Sequence, residues 1–155
     1  MIKTNVMRIL DELKIEYTSY EYEKNQSLTG ADIASLLKEP PEQVFKTLIC
    51  KGKSKSYYAF MIPVLKELDL KKAAKAVNEK SVEMILFKDL LSVTGYVHGG
   101  CSPIGLKKDY KISIDLSVLN FDEFYFSGGK VGVQVRLKVN DFIKIKNPII
   151  NDLVL

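Results

Sequence analysis

Apolar positions recur every three to four residues at the start of the chain. Val6, Ile9, Leu10 and Leu13 follow Thr4, a residue suited to an N-cap, which predicts a first helix over about 4–14. A short strand is predicted over Tyr17–Tyr22. Thr29 is placed to cap a second helix that carries Ile33, Ala34, Leu36 and Leu37, with Asp32 in its first turn, and Pro40-Pro41 ends it. Phe45–Cys50 and Tyr57–Ile62 are apolar runs joined by Lys51-Gly52-Lys53-Ser54-Lys55-Ser56, the composition of a hairpin turn. Both faces of this hairpin are mostly apolar, so it is expected in the middle of the fold. Asp69 caps a predicted helix over Leu70–Val77, Val82–Met84 reads as a brief strand, and Phe87–Leu91 as one or two helical turns.

The last third changes period. Ile112, Ile114 and Leu116 alternate with Lys111, Ser113 and Asp115, the pattern of a half-buried strand. Glu123–Ser127 and Val131–Leu137 flank Gly128-Gly129, which predicts a hairpin with a two-residue turn. Val131, Val133, Val135 and Leu137 share one face; Gln134, Arg136 and Lys138 share the other. Val139–Ile145 is predicted to close the chain as a short helix. Helices mix with hairpins without regular βαβ alternation, so the fold class is α+β: a mixed, curved sheet or open barrel surrounded by short helices.

Length and composition narrow the class. At 155 residues the chain is expected to form one domain, 1–155, and 46% hydrophobic with 27% charged residues is the balance of a globule. No apolar run approaches the roughly 20 residues of a membrane-spanning helix, and no signal-peptide core precedes the first helix. Cys50 and Cys101 alone make no disulfide framework, so the expectation is a soluble cytoplasmic protein with reduced thiols and no membrane contact. A net charge of +4 permits contact with a polyanion without demanding it. Three lysine clusters (51, 53 and 55; 71, 72 and 75; 107, 108 and 111) tilt toward a phosphate backbone, although solvated surface lysines explain each alone.

Candidate chemistry is sparse. In a strand Lys46 shares a face with Leu48 and Cys50, where an ammonium needs water, a partner or a ligand. Either it snorkels at the strand end, or it holds a carbonyl or phosphate oxygen at a pocket rim. Gly95 to Gly105 holds four glycines and Pro103, a fixed loop able to bring backbone N–H donors to a ligand, or simply a tight turn. It is not a nucleotide fingerprint. His98 and Cys101 lack the further ligands of a zinc site and the oriented base of a catalytic thiol. Cys50 reads as core. Tyr20 and Tyr22 share a strand face, and Ser127 caps the glycine turn or touches a ligand.

Several blocks in fixed order resemble the YbaK/EbsC family. They are Thr29-Gly30, Phe45-Lys46-Thr47-Leu48, Leu70-Lys71-Lys72-Ala73-Ala74, Val82-Glu83-Met84, Thr94-Gly95-Tyr96, Gly99-Gly100-Cys101-Ser102-Pro103-Ile104-Gly105 and Ser127-Gly128-Gly129-Lys130. Each block is weak alone; the ordered set is specific and spans about residues 20–137. The resemblance, nearest to the cysteinyl-tRNA deacylase type, implies removal of cysteine mischarged onto tRNA for proline. It implies that Lys46 is the essential pocket residue, that Gly99, Gly100, Cys101, Ser102, Pro103 and Gly105 line the pocket, and that Tyr20, Thr29, Thr47, Ser127 and Gly128 shape it. The substrate's own thiol would attack the ester and release a cyclic thiolactone, with no cofactor and no metal. The acceptor end of aminoacyl-tRNA is the implied partner, and prolyl-tRNA synthetase a second candidate. A deacylase for alanine or another small amino acid, and a non-catalytic module that binds aminoacyl-tRNA or a synthetase, remain open at this level.

Overall fold

The computed structural model describes residues 3–22 and 30–155. The first helix, α1 (Asn5–Glu12), starts where expected because Thr4 Oγ1 accepts from Met7 N at 3.3 Å. It buries Val6, Met7 and Leu10. After β1 (Tyr17–Glu21) comes α2 (Gly30–Leu37); the expected cap, Thr29, lies outside the described residues. The central hairpin is β2 (Phe45–Gly52) with β3 (Tyr57–Pro63), followed by α3 (Leu70–Ala76), whose cap Asp69 accepts from Lys71 N and Lys72 N. Then follow β4 (Val82–Met84), α4 (Phe87–Thr94), β5 (Lys111–Asp115), β6 (Glu123–Ser127), β7 (Val133–Lys138), α5 (Val139–Lys146) and β8 (Ile149–Asn151).

Two sheets result: a three-stranded one ordered β1-β7-β6 and a five-stranded one ordered β4-β2-β3-β5-β8. The second is mixed, since β5 runs parallel to both β3 and β8 while β2 is antiparallel to its neighbours. A lone parallel bridge from Val44 to Tyr125 stitches the sheets together. The curved mixed sheet anticipated from the sequence is thus present, open rather than closed into a barrel. Its main core packs Phe45, Ile49 and Met61 against Phe124, Phe126 and Phe142. A second core under α3 gathers Cys50, Phe60, Ile62 and Ala73.

Four local expectations change. The strand expected to carry Leu116 stops at Asp115, whose carboxylate accepts from Ser117 N, Ser117 Oγ and, across the chain, Leu153 N at 2.9 Å. Those bonds turn the backbone into a 3₁₀ segment, Leu116–Asn120. Helix α4 continues past Leu91 to Thr94, where Gly95 in the left-handed region donates its N–H to Leu91 O. Gly128-Gly129 is not a two-residue turn. The connection occupies 128–132, with Gly129 and Gly132 at φ of 92° and 91° and Val133 N bonded to Lys130 O. Val131 leaves the strand because this loop packs on Gly100, where an added Cβ would sit 3.1 Å from Val131 N. Strand β8 has no counterpart in the sequence reading.

Candidate functional site

The site arises where β2 parts from its neighbours. Val44 O accepts from Val64 N on the β3 side, whereas Ile49 O accepts from Ile85 N on the opposite edge. Backbone groups alternate between edges, so those of Phe45 and Thr47 lie on the Ile49 side. The Val44–Tyr125 bridge precedes these residues, and the register with β4 begins only at Cys50. In between, β2 and β6 diverge and leave a cavity of about 350 Å³.

Its floor is apolar, built from Phe45, Ile49 and Leu90, and Ile33 of α2 closes one side. Lys46 stands on one wall, half-buried. It makes no ion pair or hydrogen bond among the described residues. Burial lowers its pKa from the ordinary 10.5, and the Glu67 carboxylate opposes part of that drop. An ammonium held partly out of water and unneutralised is available to a ligand oxygen.

The opposite wall belongs to the three-stranded sheet. Tyr20 pairs with Gln134, and Gln134 with Ser127, so these three side chains form one row on one face. Two residues beyond the Val44–Tyr125 bridge, Lys46 and Ser127 fall on that same face, and Lys46 continues the row across the cavity. Gln134 was expected on a polar strand face beside Arg136 and Lys138; it is instead buried, on the face where α2 and Val44 pack against Tyr20 and Tyr125. Its Oε1 is buried without a hydrogen-bond partner among the described residues, as is Thr47 Oγ1, and both residues line the cavity. Ser127 Oγ accepts from Gly129 N at 3.1 Å.

Glycine loop residues divide between the cavity and its support. Gly99 and Cys101 line the cavity, and their N–H groups have no hydrogen bond among the described residues. Gly100 N donates to Val97 O instead. Gly100, Ser102, Pro103, Gly105 and Gly128 do not reach the cavity. Ser102 Oγ accepts from Ile104 N, and Gly105 lies under Tyr96, where an added Cβ would be 2.8 Å from the phenol oxygen. Pro103 and Gly105 open instead on a separate surface groove with Lys107, Lys108 and Lys146. Tyr20 stands beside Gln134 but packs on Tyr125 at 5.6 Å under the Arg136 guanidinium, off the cavity wall. Thr29 lies outside the described residues.

The cavity mouth was not foreseen as such. Phe87, at the first position of α4, is 73% exposed, and His98 stacks on it with ring centroids 4.2 Å apart. Met84 and Leu86 extend this exposed apolar rim. Neither thiol is poised for nucleophilic attack, because burial pushes both Cys50 and Cys101 up to about 12. Among the described residues no three His, Cys, Asp or Glu side chains converge on a point. The arrangement offers one cation, unpaired polar groups and an apolar enclosure: parts for binding and polarising a carbonyl.

Comparison with known proteins bears on this geometry. The model of the family described as the aminoacyl-tRNA editing domain matches residues 24–145. EbsC of Enterococcus faecalis, named as a candidate Cys-tRNA(Pro)/Cys-tRNA(Cys) deacylase, is 37% identical over 146 residues, 94% of this chain and 89% of that protein. The proline–tRNA ligase of Fervidobacterium nodosum is 30% identical over 100 residues, 64% of this chain but 17% of the ligase. Among solved structures, a hypothetical protein superposes with a TM-score of 0.90 at 20% identity, covering 98% of this chain and 100% of its own. Another, described as a candidate trans-editing enzyme for prolyl-tRNA synthetase, gives 0.84 at 19% identity and covers 100% and 99%. At such identities the structural matches speak to the fold. Among the described residues, no helix is long and apolar enough to cross a membrane.

Proposed function

Because the chain belongs to the aminoacyl-tRNA editing domain family, we propose that it is a trans-editing deacylase that removes cysteine wrongly attached to tRNA for proline. In this reading the whole chain, 1–155, is the editing domain, and the acceptor end of aminoacyl-tRNA enters past Phe87 and His98. Prolyl-tRNA synthetase is the natural partner to supply it, in keeping with the shared segment in proline–tRNA ligases.

The observation that carries the proposal is Lys46, a cation without an ion pair on the wall of an apolar cavity whose described residues include no activated nucleophile. Conventional hydrolysis needs a base or nucleophile within reach of the ester. Positioning a nucleophile that the substrate itself carries needs neither. The cysteinyl sulfur attacks its own ester carbonyl: a C–S bond forms, the ester C–O bond breaks, and the proton lost by the thiol ends on the ribose hydroxyl. Lys46 stabilises the oxyanion between these events, and the Gly99 and Cys101 N–H groups are the available neutral donors. Thiol and carbonyl already belong to one molecule, so the protein's task is to hold them in the attacking conformation and not to bring two reactants together. Gly100, Ser102, Pro103, Gly105 and Gly128 act one layer behind, fixing the loops. Purified protein is therefore expected to release cysteine from cysteinyl-tRNA(Pro) and to act far more slowly on the seryl analogue, whose hydroxyl is the weaker nucleophile. Equal rates on the two would exclude attack by the substrate side chain.

Lys46 also sets a pH dependence. Its charged form is needed for catalysis, and burial disfavours that form, so activity should fall as pH rises through a value below 10.5. The same shift means that the folded state carries a penalty at neutral pH which fades as pH climbs toward 10.5. Release corrected for spontaneous ester hydrolysis should show this alkaline limb, and Lys46→Arg should move it upward out of range. A limb unchanged in Lys46→Arg would assign it to another group.

A further inference from the structure

Gln134 is only 5% exposed, yet its Oε1 has no hydrogen-bond partner among the described residues. A buried amide left unpaired destabilises a fold, and an apolar side chain of the same size would avoid the loss. Gln134 lines the cavity, and so does Thr47, whose Oγ1 is a second such atom. Ser127 lies directly across the strand pair from Gln134, on the same face, with an oxygen that already accepts from Gly129 N and a lone pair to spare.

Charge along the row separates two ends. Lys46 provides the only formal charge among the cavity-lining residues described, and it is positive; none of those residues is a carboxylate. The Lys46 end suits oxygen: a carbonyl, or a phosphate at the entrance. The Gln134 end offers neutral acceptors and suits a group that donates several hydrogen bonds. An aminoacyl ester has one such group on its acyl part, the α-amino group, which donates whether charged or neutral.

We infer that Gln134 Oε1, with Ser127 Oγ beside it, forms a subsite for the α-amino group of the bound amino acid. This inference rests on the aminoacyl-tRNA reading of the cavity. It gives the site a way to require an aminoacyl rather than a simple acyl group and to fix which face of the ester turns toward Lys46. Gln134 is in this sense a binding residue and takes no part in bond making.

The test is equilibrium binding of two hydrolysis-resistant ligands: a tRNA(Pro) acceptor-stem microhelix carrying amide-linked cysteine, and its counterpart carrying 3-mercaptopropionate, which lacks only the amino group. Wild-type protein should bind the cysteinyl ligand about tenfold or more tightly than the other, the size expected for hydrogen bonds to a buried acceptor. Gln134→Met should lose that preference by weakening only the cysteinyl ligand. Gln134→Glu, which keeps the acceptor and removes the amide donor, should retain it. Removing an unpaired amide should leave the melting midpoint of Gln134→Met at or above wild type. The assignment is overturned if wild type shows no preference or binds neither ligand, if Gln134→Met keeps the preference or weakens both ligands alike, if Gln134→Glu loses it, or if Gln134→Met melts well below wild type. Protein that prefers the cysteinyl ligand but releases no cysteine from tRNA would refute the deacylase reading while leaving this subsite in place.

Discussion

Lys46→Ala is expected to slow single-turnover release of cysteine from cysteinyl-tRNA(Pro) by at least about a hundredfold, the range found when one oxyanion-stabilising group is removed. The loss should fall on the rate of the chemical step more than on binding, because the ammonium meets its full counter-charge only when the carbonyl oxygen becomes an oxyanion. Folding should be spared. Lys46 makes no ion pair or hydrogen bond among the described residues, and its lowered pKa shows that the fold already resists its charge. Truncation leaves no orphaned partner, so the melting midpoint should stay within a few degrees of wild type. Activity near the wild-type level in this variant would remove Lys46 from the mechanism.

Phe124→Ala is expected to have the largest effect on stability. The ring packs edge-on against Phe45 at 5.6 Å, lies 5.2 Å from Phe126 and meets Phe142 of α5 at 5.3 Å. It therefore joins β2, β6 and α5 at one fully buried point. Loss of a buried phenylalanine costs about 3–5 kcal/mol, a large fraction of the roughly 5–15 kcal/mol that holds a domain folded. Urea titration should show a midpoint lowered accordingly with the slope unchanged. Since β6 and β2 diverge from this contact to form the cavity, activity should decline with the folded fraction and not before it. A shift below about 1 kcal/mol would mean that the aromatic cluster repacks around the gap.

Legibility from the sequence followed the range of the interaction. Thr4 and Asp69 were readable as caps because each acts within three residues of itself, and both cap in the structure. The hairpin strands were readable because alternation and turn chemistry are local. Asp115 looked like one more polar position in an alternating strand; what bends the chain there includes its bond to Leu153 N, 38 residues away. Strand β8 has three residues, too few for a period, and exists through parallel pairing with β5.

The site divides in the same way. Alternation placed Lys46 on a face with Leu48 and Cys50, and so marked it as out of place. It did not show that this face meets Ser127 and Gln134 across a gap, because that depends on a single long-range bridge between Val44 and Tyr125. Gln134 looked like ordinary strand polarity for want of any local sign that α2 and Val44 pack on its face. Phe87 and His98 are eleven positions apart, and their stacking depends on the turn of the chain between them, which includes Gly95 in the left-handed region. The glycine pattern announced a fixed loop; it did not say which of its residues would reach the ligand and which would brace the rest.

The proposed activity is release of cysteine from tRNA(Pro) in this cavity. Its most direct test is release of labelled amino acid by purified protein from cysteinyl-, alanyl- and prolyl-tRNA(Pro) under single-turnover conditions. Cysteine should be released fast, with alanine and proline left in place. Preferential release of alanine would redirect the site to another small amino acid, and tight binding without release of any of the three would make the protein a docking module and contradict the account.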